Sequence, residues 1–257
     1  MLRQTWRYRD LVVSLTRRQY QLRYRQSFIG FTWAILTPIA TLGAASLVFR
    51  HVAKLGTGST PYAVSTLAAL VPWTFFATSV GFGVVAVVNS QSMVTRLPFP
   101  RVALPLSMVG TAVLDLLIAL ALFAVVAVLT GAGIPASAAW LPLLLFVEFV
   151  MVVGIVLLGS AVNVFARDLR MAVPLFLQMW LLVTPVMYPL SAAPHRLRGW
   201  FLANPLTGVV ENARRVLGTG RAPDVHLLMP ALVGALVLFV IGVWYFGATE
   251  RRFADVI

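Results

Sequence analysis

Long apolar stretches separated by short polar segments dominate the chain. A bilayer core of about 30 Å needs about 20 apolar helical residues, and six stretches meet that length. They are residues 28–49, 63–88, 103–130, 141–165, 171–190 and 227–246. The fifth is the weakest, because Gln178, Pro185 and Pro189 interrupt it. The pattern predicts an all-α, polytopic membrane protein with six transmembrane helices.

A basic amphipathic segment, residues 1–27, leads into the first span without a linker. On a helical wheel one third of the circle is apolar, a neighbouring third carries arginines, and a further ridge carries Trp6, Val13, Tyr20 and Tyr24. Such a helix is typical of the headgroup plane of a membrane, where arginine can bind phosphate bidentately. A plain topology anchor would have the same composition, and this alternative stays open.

The charge pattern predicts the orientation of the spans. The chain has 257 residues, of which 60% are hydrophobic and 11% charged, too few charges for a soluble domain of this size. Thirteen of the 20 basic residues fall in the N-terminus, the second and fourth loops and the C-terminus. The positive-inside rule therefore predicts that both termini are cytoplasmic. Membrane lipids, and not nucleic acid, are the predicted partners of a net charge of +12 that sits at span ends.

The segment 191–226, between the fifth and sixth spans, is long and basic although it is assigned to the external side. Apolar side chains alternate there with arginines, and Asn204-Pro205 divides it. We predict two short interfacial or re-entrant helices, the second over about 206–217 and closed by Gly218. Non-helical backbone at membrane depth must be covered by protein or face water. A plain external loop with amphipathic helices is the alternative.

Motifs for catalysis or for cofactor binding are missing from the sequence. The chain has no cysteine, and its single lysine, Lys54, lies in no phosphate-binding loop. Its three histidines show no metal-ligand spacing. We therefore expect a protein that is not an enzyme and that binds no metal or cofactor. Two acids, Asp115 and Glu148, lie inside spans, and a structural role is favoured because a proton relay normally has more ionisable positions.

The loop 89–102 reads NSQSMVTRLPFPRV and is predicted to be cytoplasmic. Its apolar residues Met93, Val94, Leu97 and Phe99 alternate with Arg96 and Arg101. A short exposed helix with such side chains suits insertion into a groove of another protein. A tight turn between two spans is the alternative.

Seven stretches together match a known family. They are YRQSFIGFTWAILTP (24–38), LVPWTFFATSV (70–80), MVTRLPFPR (93–101), VFARDLR (164–170), TPVMYPL (184–190), NPLTGVVENAR (204–214) and RRFADVI (251–257). With them the chain resembles, over essentially its whole length, the transmembrane permeases of type-2 ATP-binding-cassette exporters. The resemblance is to the branch that exports polysaccharides, such as O-antigen, capsule or teichoic acid.

The resemblance implies a homodimer in the bacterial plasma membrane with two separate cytoplasmic ATPase subunits, which would bind ATP and Mg. It implies a one-domain permease at 28–257, preceded by an interface and gate helix at 1–27. The substrate would be a lipid-linked polysaccharide whose headgroup enters near Tyr20, Arg23, Tyr24 and Arg25. The residues implied to dock the ATPase are Met93, Val94, Arg96, Leu97, Phe99 and Arg101.

Aromatic side chains extend this predicted substrate path, because the C–H faces of sugars pack on aromatic rings. The candidates are Phe31, Trp33, Trp73, Phe75, Phe76, Trp180 and Tyr188. Ordinary interfacial belts explain Trp and Tyr near span ends equally well. Two other functions stay open, namely a type-2 exporter of a small hydrophobic drug or lipid, and an ATPase-independent secondary transporter that would use Asp115 and Glu148.

Overall fold

A computed structural model of the chain describes residues 8–25, 32–45, 47, 62–96, 99–194, 196 and 198–256. Helices and their connecting turns make up these ranges, and no strand occurs within them. The predicted all-α fold class is therefore confirmed.

The α-helices of the described ranges follow the apolar stretches of the sequence. They are α1 (Arg9–Arg25), α2 (Thr32–Ala45), α3 (Tyr62–Gly83), α4 (Ala86–Asn89), α5 (Gln91–Arg96), α6 (Ala103–Leu129), α7 (Leu141–Phe165), α8 (Leu169–Val183), α9 (Arg198–Ala203), α10 (Pro205–Gly218), α11 (Val225–Thr249) and α12 (Phe253–Val256). Short 3-10 turns at Ala136–Trp140, Leu190–Ala192 and Glu250–Arg252 join some of them.

Four of these helices, α3, α6, α7 and α11, are long and apolar enough to cross a membrane. The described part of α2 has 14 residues, and α8 has only 15. The helix α8 ends early because Pro185 restricts Thr184 to an extended conformation, with ψ of 129°. Four of the six predicted spans thus correspond to candidate membrane-crossing helices, whereas crossing by the first and fifth stretches, and the count of six, stay predictions. The second stretch is not continuous, because a turn after Gly83 separates α3 from α4.

The helix α3 lies at the centre of the bundle, with most of its side chains buried. The helices α7 and α11 run in the same direction and approach closely at two glycines. A Cβ atom added to Gly242 would lie 2.1 Å from the carbonyl oxygen of Gly154. Apolar side chains on the outer faces of α6 and α11, such as Val128 and Val240, remain exposed, as suits a surface that faces lipid.

The bundle has two distinct ends. The hairpin end carries α9, α10 and the beginnings of α3 and α11, and there the Tyr62 hydroxyl donates to the carbonyl oxygen of Met187 at 3.0 Å. The terminal end carries α1, the beginning of α6 and the C-terminal helix α12. Both ends of the described chain are therefore on the same side of the bundle.

The two helices predicted in 191–226 are present as α9 and α10, and Asn204 separates them. Its side chain accepts a hydrogen bond from the backbone N–H of Leu206 at 3.1 Å and so caps α10, whose first residue is Pro205. Pro205 packs on Gly234, about 13 Å along α11 from its first residue. The C-terminal end of α10 lies at the edge of the bundle, because the Ser137 hydroxyl, in the turn between α6 and α7, donates to the carbonyl oxygen of Val216 at 2.7 Å. The helix α10 therefore enters the bundle from the hairpin end.

The helix α1 packs on the first half of α6. Leu15 is buried, and a Cβ atom added to Gly110 would meet the side chain of Thr16 at 2.6 Å. The Thr16 hydroxyl donates to the carbonyl oxygen of Ser107 at 3.3 Å. Because Arg23 meets Asp115 further along both helices, α1 and α6 run in the same direction. Protein contacts, and not lipid alone, hold the amphipathic helix.

Candidate functional site

An ion pair and a cation–π contact, both made by Arg23, join three helices at the terminal end. The Arg23 guanidinium on α1 lies 2.5 Å from a carboxylate oxygen of Asp115 on α6. The same guanidinium stacks on the ring of Phe82 on α3, with its central carbon 4.0 Å from the ring centroid. The acid that the sequence places inside the third span is thus partnered, and Arg23, a predicted substrate-path residue, already contacts protein.

Of the remaining residues predicted for headgroup entry, the structure describes only the side chain of Tyr20. Tyr20 is half-buried on α1, and burial, with a further contribution from the Asp115 carboxylate, raises the pKa of its hydroxyl. Phe31 lies outside the described residues, as do the side chains of Tyr24, Arg25 and Trp33. Their predicted roles in the substrate path stay predictions.

The predicted docking segment forms the short helices α4 and α5. Val94 was expected to be exposed, but it is buried in the core, and Met93 and Phe99 are half-buried against the same core. The apolar side chains of α5 face inward because packing against the bundle removes their apolar surface from water. The exposed face of α5 is polar instead, with Gln91, Ser92 and Thr95. Leu97 and the side chain of Arg96 lie outside the described residues.

Arg101, another predicted docking residue, joins the start of α6 to the C-terminus. Its backbone N–H donates to a carboxylate oxygen of Glu250 at 2.8 Å, and its guanidinium donates to the Glu250 carbonyl oxygen. Nearby Phe253 is fully buried, with its ring 5.3 Å from Phe246 and 6.1 Å from Phe165. The C-terminal residues are thus packed into the terminal end, directly beside the predicted docking segment.

The predicted aromatic path is a packed cluster in this structure. The ring of Phe76 lies 5.7 Å from Trp73 and 5.0 Å from Trp180, and Trp180 lies 4.9 Å from Phe176. Trp73, Phe75 and Phe76 are buried. The rings therefore contact one another across α3 and α8. A polymer could reach Trp73 or Phe76 only after these helices separate, so their role in the path stays a prediction.

At the hairpin end, Asn204 and Tyr188 fix the non-helical backbone beside α8. The indole N–H of Trp180 donates to the Asn204 amide oxygen at 3.2 Å, and the Asn204 amide donates to the Thr184 hydroxyl at 2.9 Å. The Tyr188 hydroxyl donates to the carbonyl oxygen of Leu182 at 2.9 Å. Tyr188, a predicted path residue, thus stabilises the chain that follows α8.

Arg214 on α10 is the centre of the hairpin end. Its guanidinium donates to the carbonyl oxygens of Ser65, Pro185, Val186 and Tyr188 at 2.8–3.3 Å, and to the Ser65 hydroxyl at 3.0 Å. A carboxylate oxygen of Glu211 lies 3.4 Å from its Nε atom. Burial raises the pKa of Glu211, and the neighbouring Arg214 partly opposes that shift. The buried guanidinium of Arg214 thus satisfies backbone carbonyl oxygens in the chain after α8, which is not helical and supplies no helical N–H groups to them.

Glu148 contrasts with Asp115. It is fully buried on α7, and neither carboxylate oxygen has a hydrogen-bond partner among the described residues. Across the same residues no group of three acidic or histidine side chains could hold a metal ion. Glu148 therefore lacks, within these residues, the kind of partner that Asp115 has, and its predicted structural role stays a prediction.

Comparison with known proteins decides the family. The sequence pattern of the family described as "ABC-2 type transporter" matches residues 10–217, which is most of the chain. This chain belongs to the ABC-2 type transporter membrane family. The matched region begins in α1 and ends in α10, so it includes the Arg23–Asp115 pair, the docking segment and Arg214.

Relatives of this ABC-2 family chain are similar over nearly their whole length. The chain is 29% identical to the O-antigen export system permease protein RfbA of Myxococcus xanthus over 257 residues, 99% of this chain and 98% of that protein. It is 24% identical to a protein of the same name from Klebsiella pneumoniae over 249 residues, 96% and 95% of the two chains. It is 22% identical to the polysialic acid transport protein KpsM of Escherichia coli over 238 residues, 89% and 90% of the two chains.

Sequence reasoning missed two residues that organise this ABC-2 permease. Arg214 belongs to the basic pattern of segment 191–226 and gives no local sign that it is buried. Glu250 looks like one more charge at a span end, yet it bonds to Arg101. The only available signal was Arg214's position in a stretch, 204–214, that matches the family.

Proposed function

We propose that this chain is the membrane-spanning subunit of an ATP-driven exporter of a lipid-linked polysaccharide. The carrying observation is the similarity, over 99% of its length, to a protein named as an O-antigen export permease. The all-helical bundle supports the proposal, because several of its helices are apolar enough to cross a membrane. The sequence has no phosphate-binding loop, which agrees with ATP hydrolysis on a separate subunit. The substrate class is O-antigen, capsule or teichoic-acid type.

The energy would come from a separate ATPase. Two copies of this chain would assemble with two ATPase subunits, which bind ATP and Mg. The terminal end would face the cytoplasm of a bacterium, and the hairpin end would face outward across the plasma membrane. The positive-inside rule supports this orientation, and the placement of both described ends of the chain on one side of the bundle is compatible with it.

The polar, exposed face of α5 is the proposed contact with the ATPase. It lies at the terminal end, beside the packed C-terminus. Phe99 and Arg101 are poor probes of docking, because one packs on the core and the other bonds Glu250. Thr95 is the better probe, since it is exposed and, within the described part of the chain, its hydroxyl donates only to the Gln91 carbonyl oxygen of the same helix.

We predict that Thr95→Arg weakens copurification with the partner ATPase by about tenfold or more, since about 1.4 kcal/mol of lost contact energy suffices. ATP hydrolysis stimulated by the permease and surface display of the glycan should fall with it. The matched control is Ala132→Arg, which adds the same side chain to an exposed turn at the hairpin end. Copurification and hydrolysis unchanged by Thr95→Arg would remove α5 from the contact. An intact complex that exports a small hydrophobic compound and no glycan would instead favour the drug or lipid exporter.

A further inference from the structure

The C-terminal turn holds Arg101, which lies between the docking helix α5 and the start of α6. Two groups of Arg101 donate to one residue of that turn: the backbone N–H to a carboxylate oxygen of Glu250, at 2.8 Å, and the guanidinium to the Glu250 carbonyl oxygen. A charged acceptor strengthens the first of these bonds. It also places a negative charge at the N-terminal end of α6, where the helix dipole favours it. Arg101 is therefore fixed in both position and orientation.

Phe253, three residues after Glu250, anchors the turn itself. It is the first residue of α12 and is fully buried. Its ring packs edge-on against Phe246 of α11, at 5.3 Å, and against Phe165 of α7, at 6.1 Å. Phe253 belongs to the same buried apolar core as Val94 of α5, and α12 contacts α5. The turn thus connects the docking helix with two long helices of the bundle.

The helix α5 is too short to fix its own position. It has six residues, whereas isolated helices shorter than about 12–15 residues are marginal in water. Val94 holds its inner face in the core. Only residues 97–100 separate α5 from Arg101, and one of them, Pro100, has a φ angle fixed by its ring. The position of Arg101 therefore constrains the C-terminal end of α5.

We propose that Glu250 is a positioning residue for the contact with the ATPase, and that Phe253 supports it. Held by the turn, α5 presents its polar face in one orientation, so the ATPase does not have to order the helix when it binds. The inference rests on the proposed function, because it takes the docking segment as the contact with the ATPase. It also assigns a role to the C-terminal stretch 251–257, for which the sequence predicts none.

Hydrogen exchange of the permease alone tests the anchor without the ATPase. The full chain in nanodiscs is compared with Glu250→Ala, and exchange of the α5 amides is followed. We expect this exchange to become about tenfold faster, because loss of a hydrogen bond to a charged group shifts a local opening equilibrium by about that factor. Exchange in α10, at the hairpin end, should stay unchanged and is the internal reference.

Three further variants define which property of the turn matters. Glu250→Gln keeps an uncharged acceptor and should accelerate exchange in α5 less than Glu250→Ala does. Phe253→Ala should act like Glu250→Ala, since it removes the buried ring that anchors the turn. Arg251→Ala is the matched control, because Arg251 lies on the same 3-10 turn and is exposed.

Binding is then measured by titrating these nanodiscs with the ATPase that copurifies with the unaltered chain. Glu250→Ala should raise the ATPase concentration that gives half-maximal stimulation of hydrolysis about threefold, because the apparent Kd rises as the correctly positioned fraction of α5 falls. The maximal rate at saturation should stay near that of the unaltered chain, since an excess of ATPase can still order the helix. A folding defect would instead lower the maximal rate.

Four outcomes would overturn the proposal: unchanged exchange in α5, faster exchange with an unchanged half-maximal concentration, a lower maximal rate, or equal effects from Arg251→Ala. Loss of copurification in Thr95→Arg without any effect of Glu250→Ala would remove the anchor and leave the proposed function standing. Faster exchange and weaker binding in Glu250→Ala, with normal copurification of Thr95→Arg, would do the reverse for the exposed face of α5, and would place the contact elsewhere on the docking segment.

Discussion

The hairpin end and the terminal end of the bundle hold their central arginines in different ways. Arg214 at the hairpin end is buried, donates to four backbone carbonyl oxygens and a hydroxyl, and forms an ion pair with Glu211. Arg23 at the terminal end is a quarter exposed, pairs with Asp115 and stacks on the ring of Phe82. The first arginine is fixed by backbone carbonyl oxygens of two segments, α3 and the chain after α8, whereas the second pairs with a side-chain carboxylate and stacks on a ring.

This difference separates a structural charge from an exchangeable one. Carbonyl oxygens of the broken segment after α8 cannot be satisfied without Arg214, because no helix supplies N–H groups to them. The Arg23–Asp115 pair keeps some exposure to solvent, so Arg23 can exchange its partner more readily than Arg214 can exchange the buried carbonyl oxygens around it. We therefore expect motion during transport to begin at the terminal end, while the hairpin end keeps its internal bonds longer.

The largest expected effect is at Arg214. Arg214→Ala removes the guanidinium partner of the mostly buried Glu211 and the donor to the non-helical carbonyl oxygens of Pro185, Val186 and Tyr188, so we expect a loss of about 3–5 kcal/mol of stability. Arg214→Lys should restore little, because one ammonium group cannot reach acceptors spread around a planar guanidinium. Thermal unfolding in detergent and the level of folded protein in the membrane measure this loss.

Arg215→Ala is the matched control for Arg214, one residue further along α10. Arg215 is 40% exposed, and it bonds the Ala222 carbonyl oxygen and lies 3.6 Å from Asp224. Its removal should have little effect, because exposed ion pairs contribute little to stability. Equal losses from Arg214→Ala and Arg215→Ala would mean that the hairpin end is not organised around Arg214.

The next effect concerns Glu148, which is as buried as Arg214 but has no partner among the described residues. A buried carboxyl group without a hydrogen bond costs about 1–3 kcal/mol by mutational measures. Glu148→Leu, of similar volume, should therefore raise the unfolding temperature, and Glu148→Gln should change it little. A lower unfolding temperature in Glu148→Leu would mean that Glu148 has a partner in the assembled protein. Transport measured on the same variants would then show whether that partner is needed for function.

The lengths of apolar runs and the residues at helix ends predicted the helix bounds well, because both signals lie close in sequence to the bounds they determine. The bounds of α6 and α7 follow directly from uninterrupted apolar runs, and the division between α9 and α10 follows from Asn204-Pro205. Proline also marked the fifth stretch as weak, and α8 ends where Pro185 requires it. These signals lie within a few residues of the feature they predict.

The contacts that organise the two ends were not predictable from a single sequence. Arg214 and Ser65 are 149 residues apart, and so are Arg101 and Glu250. Asp115 could be recognised as an acid inside a span, but its partner Arg23 is 92 residues away. The inward orientation of Val94 also depends on tertiary packing, because a short apolar-polar segment is compatible with either face. Local patterns predicted the elements, whereas long-range pairing decided which charges are structural.

The smallest expected effect is at the Arg23–Asp115 pair, and it tests the exchangeable side of the comparison. Because both side chains keep some exposure, the pair should contribute about 1 kcal/mol or less to stability. A double-mutant cycle with Arg23→Gln and Asp115→Asn, read by thermal unfolding, measures that coupling energy. A coupling energy of several kcal/mol would make this pair as structural as Arg214. Transport driven by an imposed proton gradient and abolished by Asp115→Asn would favour a secondary transporter, because an acid that carries protons must exchange its partner in every cycle.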